Sequence, residues 1–280
     1  MDSALAKYAR AQKHLDELRA SVDEYRAADL RDEVSPRVTY PYGDSDPRAV
    51  MILRLELKAP TEWSLIIGDI LTNLRASLDH AVFGHATSRK QLNSKQRKNL
   101  YHPMLTIQSE WLGTPESTDA TGNVVPAKPG PGAKLKDLVA PDVLAVIEKN
   151  QPYNADGDPA WHGLAILSGL VNRDKHRAVH EIPVNIADIV LGKTNLEIMA
   201  EGDLKILPDG TAEKEITFRR SQRPAGAAPS YRLGTFAAST EFLEEIEIPN
   251  TGARRSAIVV MEELVKQAGQ YLDELKTAGC

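Results

Sequence analysis

The sequence predicts an α+β protein, in which a bundle of helices packs with one mainly antiparallel β-sheet inserted between the helices. Long segments without glycine or proline place apolar residues at three- and four-residue steps, which is typical of amphipathic helices. Shorter runs rich in Val, Ile and Leu lie between turn signals such as Pro208-Asp209-Gly210, which is typical of hairpin strands. Because strand-forming segments interrupt the helical ones along the chain, residues 1–280 are predicted to form a single composite domain.

The predicted elements follow the chain from its N-terminus. Leu5, Tyr8 and Leu15 give the first helix an apolar side, and Pro36 ends that helix. Prolines also open the second helix and the last part of the third, because proline suits the first helical turn. The predicted helices cover residues 3–32, 60–88, 133–180 and 253–277, the strands cover 37–58 and 181–248, and an irregular surface loop rich in glycine and proline covers 102–132.

Composition restricts the class of protein. The chain of 280 residues has a formal net charge of -5, which speaks against coating nucleic acid through the net field but permits local basic patches. Its one cysteine, Cys280, forms no disulfide within the chain, and the N-terminal segment lacks the apolar core of a signal peptide. We therefore expect a soluble cytoplasmic protein without a membrane span. The glycine-rich loops of nucleotide-binding proteins are absent from the sequence, so no cofactor is expected.

The second predicted helix carries a polar stripe. At about 100° per residue, Asp69, Asn73 and His80 fall within about 60° of one another, and apolar residues flank them on both sides. A helix that is apolar around most of its circumference is normally buried, so the stripe is predicted to face the interior or the floor of a cleft. The stripe is then either a structural hydrogen-bond network or part of a functional site.

A second polar cluster ends the helix that Pro159 opens. Asn172 and His176 share a face with the small residue Gly169, where a neighbouring helix or a ligand can approach the backbone. This cluster is predicted to bind substrate together with Asp69 of the first stripe, and its further members are Arg173, Lys175 and Arg177. The alternative is a solvated basic helix end, since cations are favoured near a helix C-terminus.

The six residues Arg75-Ala-Ser-Leu-Asp-His80 have the form Arg-x4-His on a helix of the predicted bundle. They resemble the motif of the HEPN superfamily, whose toxin and antiphage members are metal-independent endoribonucleases, and the resemblance covers about residues 61–180. It implies that RNA is the partner, that Arg75 contacts the scissile phosphate and that His80 transfers protons. Family members usually carry a polar residue directly after the arginine. Here that position is Ala76, and the polar residue lies two positions before the arginine instead, at Asn73.

The helix geometry sets a condition on this catalytic pair. Arg75 and His80 lie about 140° apart around the helix axis. They act together only if Arg75 reaches round the helix or if a homodimer supplies one of the two residues.

Three functional hypotheses follow. The first is a HEPN-like RNA-cleaving or RNA-binding protein of toxin or phage-defence type, in which the basic run at 89–98 binds phosphate. The second is a non-catalytic protein that binds a small ligand or a partner between its helices. The third is a metal-assisted hydrolase that uses His80, His176 and His180, because the last two are four residues apart. The first two require no metal.

Overall fold

The computed structural model describes residues 1–28, 33–43, 46–118, 123–176, 180–194, 196–219 and 236–280. The chain divides into two compact units. The first, called the helical unit below, comprises Met1–Arg19, Thr61–Ile182 and Ile246–Cys280, and the second, called the strand unit, comprises Ala20–Pro60 and Pro183–Glu245. The α+β class is confirmed, whereas the single composite domain stays a prediction. None of the described helices is long and apolar enough to cross a membrane.

The helices have the following bounds: α1 Asp2–Ala27, α2 Thr61–Arg89, α3 Ser94–Asn99, α4 Gln108–Leu112, α5 Pro131–Lys136, α6 Pro141–Lys149, α7 Gly163–His176 and α8 Ala257–Thr277. In the helical unit, α2 packs against both α7 and α8, and α7 packs against α8. The long predicted helices α1, α2 and α8 agree with these bounds to within a few residues, although residues 29–32 of the first lie outside the described part of the chain.

The predicted helix over 133–180 is divided into several shorter elements. Proline occupies the first turn of α5, of α6 and of two 3-10 turns, Pro152–Asn154 and Pro159–Trp161. A proline at the first turn has no N–H to leave unpaired, but it cannot continue a preceding helix. Each proline therefore starts a new element, and the segment between α6 and α7 forms two tight turns.

The predicted irregular loop contains more structure than expected. Besides α4, it holds two short antiparallel pairs, β3 Gly113–Thr114 with β6 Lys128–Pro129, and β4 Ser117–Thr118 with β5 Val124–Val125. Its glycines allow close packing around the buried Trp111, since a Cβ on Gly132 would lie 2.5 Å from the indole nitrogen. Gly113, Gly130 and Gly132, which indicated an irregular loop, are instead required by close contacts.

The strand unit contains two antiparallel sheets where the sequence predicts one. The first sheet has the order β1 Ser35–Thr39, β2 Arg48–Leu55, β10 Ala212–Arg219 and β8 Glu197–Glu201, and β9 Lys205–Ile206 also pairs with β10. The second sheet pairs β7 Val184–Thr194 with β11 Phe236–Glu247. A further strand, β12 Arg254–Ser256, directly precedes α8.

Buried side chains from both sheets share one apolar core. Met51 and Leu53 of β2 and Ile216 of β10 lie in it with Ile189 of β7 and Ala238 of β11. The apolar faces of the two sheets therefore exclude water from each other, as in a β-sandwich. The predicted strand region at 220–235 lies outside the described residues.

Candidate functional site

Helix α2 buries a different face from the predicted one. Asp69 is exposed and Asn73 is partly exposed, and the side-chain amide of Asn73 donates to the carbonyl oxygen of Asp69 at 2.8 Å. The prediction that this stripe faces inward is wrong. The physical reason is that the apolar residues on the other side of α2 fill its contacts, with Ile67, Ile70 and Leu71 fully buried.

Arg75 and His80 have different neighbours. His80 is partly exposed, and its Nδ1 lies 2.7 Å from the Oγ of Ser3 on α1. The side chain of Arg75 is 18% exposed, and its Nε lies 3.2 Å from Oδ2 of Asp79. Among the described residues, no contact joins Arg75 to His80. The structure of one chain does not bring the two residues together, and their catalytic roles stay a prediction.

Arg75 and Asp79 instead hold the segment that follows Leu100. Nη2 of Arg75 donates to the carbonyl oxygen of His102 at 2.8 Å, and Nη1 donates to the sulfur of Met104 at 2.9 Å. Oδ1 of Asp79 accepts a hydrogen bond from the backbone N–H of His102 at 2.8 Å. The backbone of His102 is thus fixed to α2 by both members of an ion pair, which positions its side chain.

The side chain of His102 pairs with Tyr271 of α8. Its Nε2 lies 2.5 Å from the Tyr271 hydroxyl, and the two rings form an edge contact with centroids 5.1 Å apart. Complete burial, together with the guanidinium of Arg75, lowers the pKa of His102 to about 3, so the imidazole is neutral at pH 7. Burial raises the pKa of Tyr271 well above its ordinary value, so the phenol is neutral as well.

The hydrogen bond between these neutral groups has a preferred direction. Nδ1 of His102 is buried and has no hydrogen-bond partner among the described residues. An unpaired N–H in the interior is rarer than an unpaired acceptor, so the hydrogen belongs on Nε2. In this tautomer Nε2 donates to the hydroxyl oxygen of Tyr271. The hydroxyl hydrogen of Tyr271 then points away from His102.

Tyr271 also lines a pocket of about 440 Å³ in the helical unit. One wall comes from α8, through Gln267, Gln270 and Tyr271, and the other comes from the segment between α6 and α7. That segment contributes the indole of Trp161, which is 45% exposed. The pocket therefore combines a flat apolar surface with side chains that donate and accept hydrogen bonds.

The turns at the pocket rim depend on capping and on glycine. Oδ1 of Asp158 accepts from the backbone N–H of Ala160 at 2.9 Å and so caps the turn that carries Trp161. Gly157, before it, has φ of 141°, a conformation that favours glycine. On the opposite side, Nδ2 of Asn150 donates to Oε2 of Glu274 at 2.9 Å. The first bond stabilises the turn itself, and the bond between Asn150 and Glu274 links the end of α6 to α8.

The second predicted cluster does not converge with the first. Asn172 is exposed, and Nη2 of Arg173 pairs with Oε1 of Glu247 at 3.2 Å. The side chains of Lys175 and His176, and Arg177 altogether, lie outside the described part of the structure. Gly169 does allow a close approach, but to the ring of Pro249 rather than to a helix or a ligand. The described members of the predicted site, Asp69, Asn73, Arg75, His80, Asn172 and Arg173, do not line the pocket.

Sequence reasoning missed both His102 and Tyr271. His102 lies in the segment that its glycines and prolines marked as surface loop, and Tyr271 lies on the apolar side of α8 as an ordinary core aromatic. The sequence did contain one signal for the pocket itself, which was the turn sequence Asp156-Gly-Asp-Pro159. Loops at helix ends often carry binding residues.

No group of three or more potential metal ligands occurs among the residues that the structure describes. Because the side chain of His176 is not among them, the metal-dependent hypothesis stays a prediction. Comparisons with protein-family models, with characterised proteins and with solved structures find no significant match.

Proposed function

We propose that the helical unit binds a small polar ligand in the pocket between α8 and the segment that joins α6 to α7. The observation that carries this proposal is the composition of the pocket wall, where the exposed indole of Trp161 lies with the amides of Gln267 and Gln270. Tyr271 belongs to the same wall, and its hydroxyl is held by His102. A few polar groups on a partly apolar wall are the usual means by which a pocket orients a small molecule.

The size of the pocket agrees with this function. Its volume of about 440 Å³ lies within the range of about 300–1,000 Å³ that is usual for small-molecule sites. The exposed indole of Trp161 is available for stacking, and the amides of Gln267 and Gln270 can donate or accept. Stacking and hydrogen bonding make and break no covalent bond, so the function we propose is binding rather than catalysis.

A screen by thermal unfolding tests the proposal. A ligand that binds the folded protein raises Tm, and a library of cationic, neutral and anionic metabolites should contain compounds that do so. Trp161→Ala should abolish the increase, because it removes the stacking surface. Leu65→Ala is the matched control, since Leu65 is 56% exposed, belongs to α2 and does not line the pocket. Equal stabilisation of both variants by every active compound would contradict the proposal.

RNA cleavage or binding of the HEPN type is the second candidate. It draws on the partial exposure of His80 and on the exposed basic residues at and after the end of α2, which are Arg89, Lys90, Lys95, Arg97 and Lys98. His80→Ala should abolish RNA cleavage, and a Lys95→Ala, Lys98→Ala variant should weaken RNA binding. Arg75 is a poor probe because its substitution would also release the backbone of His102. Cleavage that persists unchanged in His80→Ala would contradict the catalytic hypothesis.

A further inference from the structure

We infer that the ligand of this pocket is a small organic cation. The inference rests on the proposed function and specifies the chemistry of the ligand. It follows from the charges at the pocket rim and from the aromatic side chain in the pocket wall.

The charged residues that line the pocket are all acidic. Asp156, Asp158 and Glu274 contribute carboxylates, and the lining contains no lysine or arginine. His162 adds no positive charge at pH 7, because burial lowers the pKa of its imidazole. A concave surface with carboxylates of one sign attracts cations and repels anions.

Only one of these carboxylates has a basic partner within the described part of the chain. Nζ of Lys149 lies 3.3 Å from Glu274, and the lysine side chain is 70% exposed. An exposed pair of this kind is weak, so a ligand cation can replace the lysine at little cost. Asp158 accepts only a backbone N–H in its described contacts, and Asp156 has no ion pair among them. The rim thus keeps negative charge that a ligand can neutralise.

The pocket wall adds a feature that does not depend on the carboxylates. The indole of Trp161, which is 45% exposed, is a favourable surface for an ammonium or guanidinium group through its π electrons. A cation in the pocket would therefore lie between this ring and the carboxylates of the rim.

A series of four-carbon compounds separates charge from shape. Isothermal titration would compare aminobutanol, putrescine, butanediol and succinate on the same protein. Aminobutanol and putrescine should both bind, because each carries a cation, and butanediol and succinate should bind more weakly than either. Raising the salt concentration should weaken the binding of the cations.

Two double variants test whether the carboxylates at the rim bind the cation. Asp156→Asn with Asp158→Asn removes two rim charges while asparagine retains the cap of the turn, and it should lower the affinity for aminobutanol about tenfold. Glu110→Gln with Asp142→Asn removes two exposed charges elsewhere in the helical unit and should leave the affinity unchanged. Equal losses in both double variants, or no loss in the first, would overturn the inference.

The remaining outcomes distinguish the inference from the proposed function. If succinate or butanediol binds more tightly than the cations and Trp161→Ala abolishes that binding, the pocket is a ligand site but its ligand is not a cation. If neither this series nor the metabolite library binds the wild-type protein, both the inference and the proposed function are overturned.

Discussion

Nε2 of His102 lies 2.5 Å from the hydroxyl of Tyr271, and this contact connects the ion pair on α2 to the pocket on α8. Arg75 and Asp79 hold the backbone of His102, His102 holds the phenol, and the phenol forms part of the pocket wall. The Arg-x4-His segment therefore takes part in the site indirectly, because Arg75 and Asp79 position a group that lies away from their own helix.

Tyr271→Phe should destabilise the protein by about 1–3 kcal/mol, because it leaves Nε2 of the buried His102 without a partner. Urea denaturation of the wild-type protein and the variant measures this difference. Tyr101→Phe is the control, since Tyr101 is 51% exposed and should tolerate the change. A Tyr271→Phe protein as stable as the control would contradict the assigned hydrogen bond.

The stability of the protein should fall as the pH is lowered from about 6.5 towards 3. The folded pKa of His102 is about 3, whereas an unfolded histidine titrates near 6.5. In this window the unfolded state binds one proton more, so the free energy of unfolding decreases by up to about 1.4 kcal/mol per pH unit as the pH falls.

Comparison with a His102→Gln variant isolates this contribution, because glutamine has no charge to gain and its amide can reach the position of Nε2. Urea denaturation at several pH values should give a shallower pH dependence for the variant than for the wild-type protein. Identical slopes would show that His102 titrates normally in the folded state.

Arg75→Ala should destabilise the protein by about 1–3 kcal/mol, because it releases the carbonyl of His102 and leaves Asp79 without its cation. Arg173→Ala provides a matched comparison. Its ion pair with Glu247 is more exposed, at 31% and 47% for the two side chains, and should contribute less than about 1 kcal/mol. Thermal unfolding of the two variants should rank them in this order, and the opposite order would contradict the positioning role of Arg75.

Gly169→Ala should destabilise the protein although alanine favours helices. A Cβ at this position would lie 2.6 Å from Cβ of Pro249, whose ring cannot rotate away, so the cost of overpacking is about 1–3 kcal/mol. Gly84→Ala in α2 is the control, because its nearest atom would be 4.0 Å away. That variant should gain up to about 1 kcal/mol from helix propensity. Equal effects of both substitutions on the free energy of unfolding would contradict the close contact.

The sequence predicts the fold better than it predicts the site, and α2 shows why. Periodicity identifies a helix there because backbone hydrogen bonding and apolar spacing are local properties. It does not determine which apolar arc meets the neighbouring helices when apolar residues surround most of the circumference. Asp69 was therefore predicted to face inward, whereas the structure exposes it and leaves only 18% of the Arg75 side chain exposed.

The pocket depends on contacts between residues that are far apart in the chain. His102 and Tyr271 are separated by 169 positions, and each lies in a segment with an ordinary local interpretation. Burial changes their chemistry, since the neutral imidazole and the oriented phenol both result from exclusion of water. Local patterns do not contain this information, so the sequence could not have identified the pair.

The most direct measurement is an NMR titration of isotopically labelled protein with compounds that raise its Tm. The account predicts that the largest amide shift changes occur at residues 150–164 and 267–274, and that Trp161→Ala removes them. Shift changes concentrated on the Asp69–His80 face of α2, or changes that persist in Trp161→Ala, would contradict it.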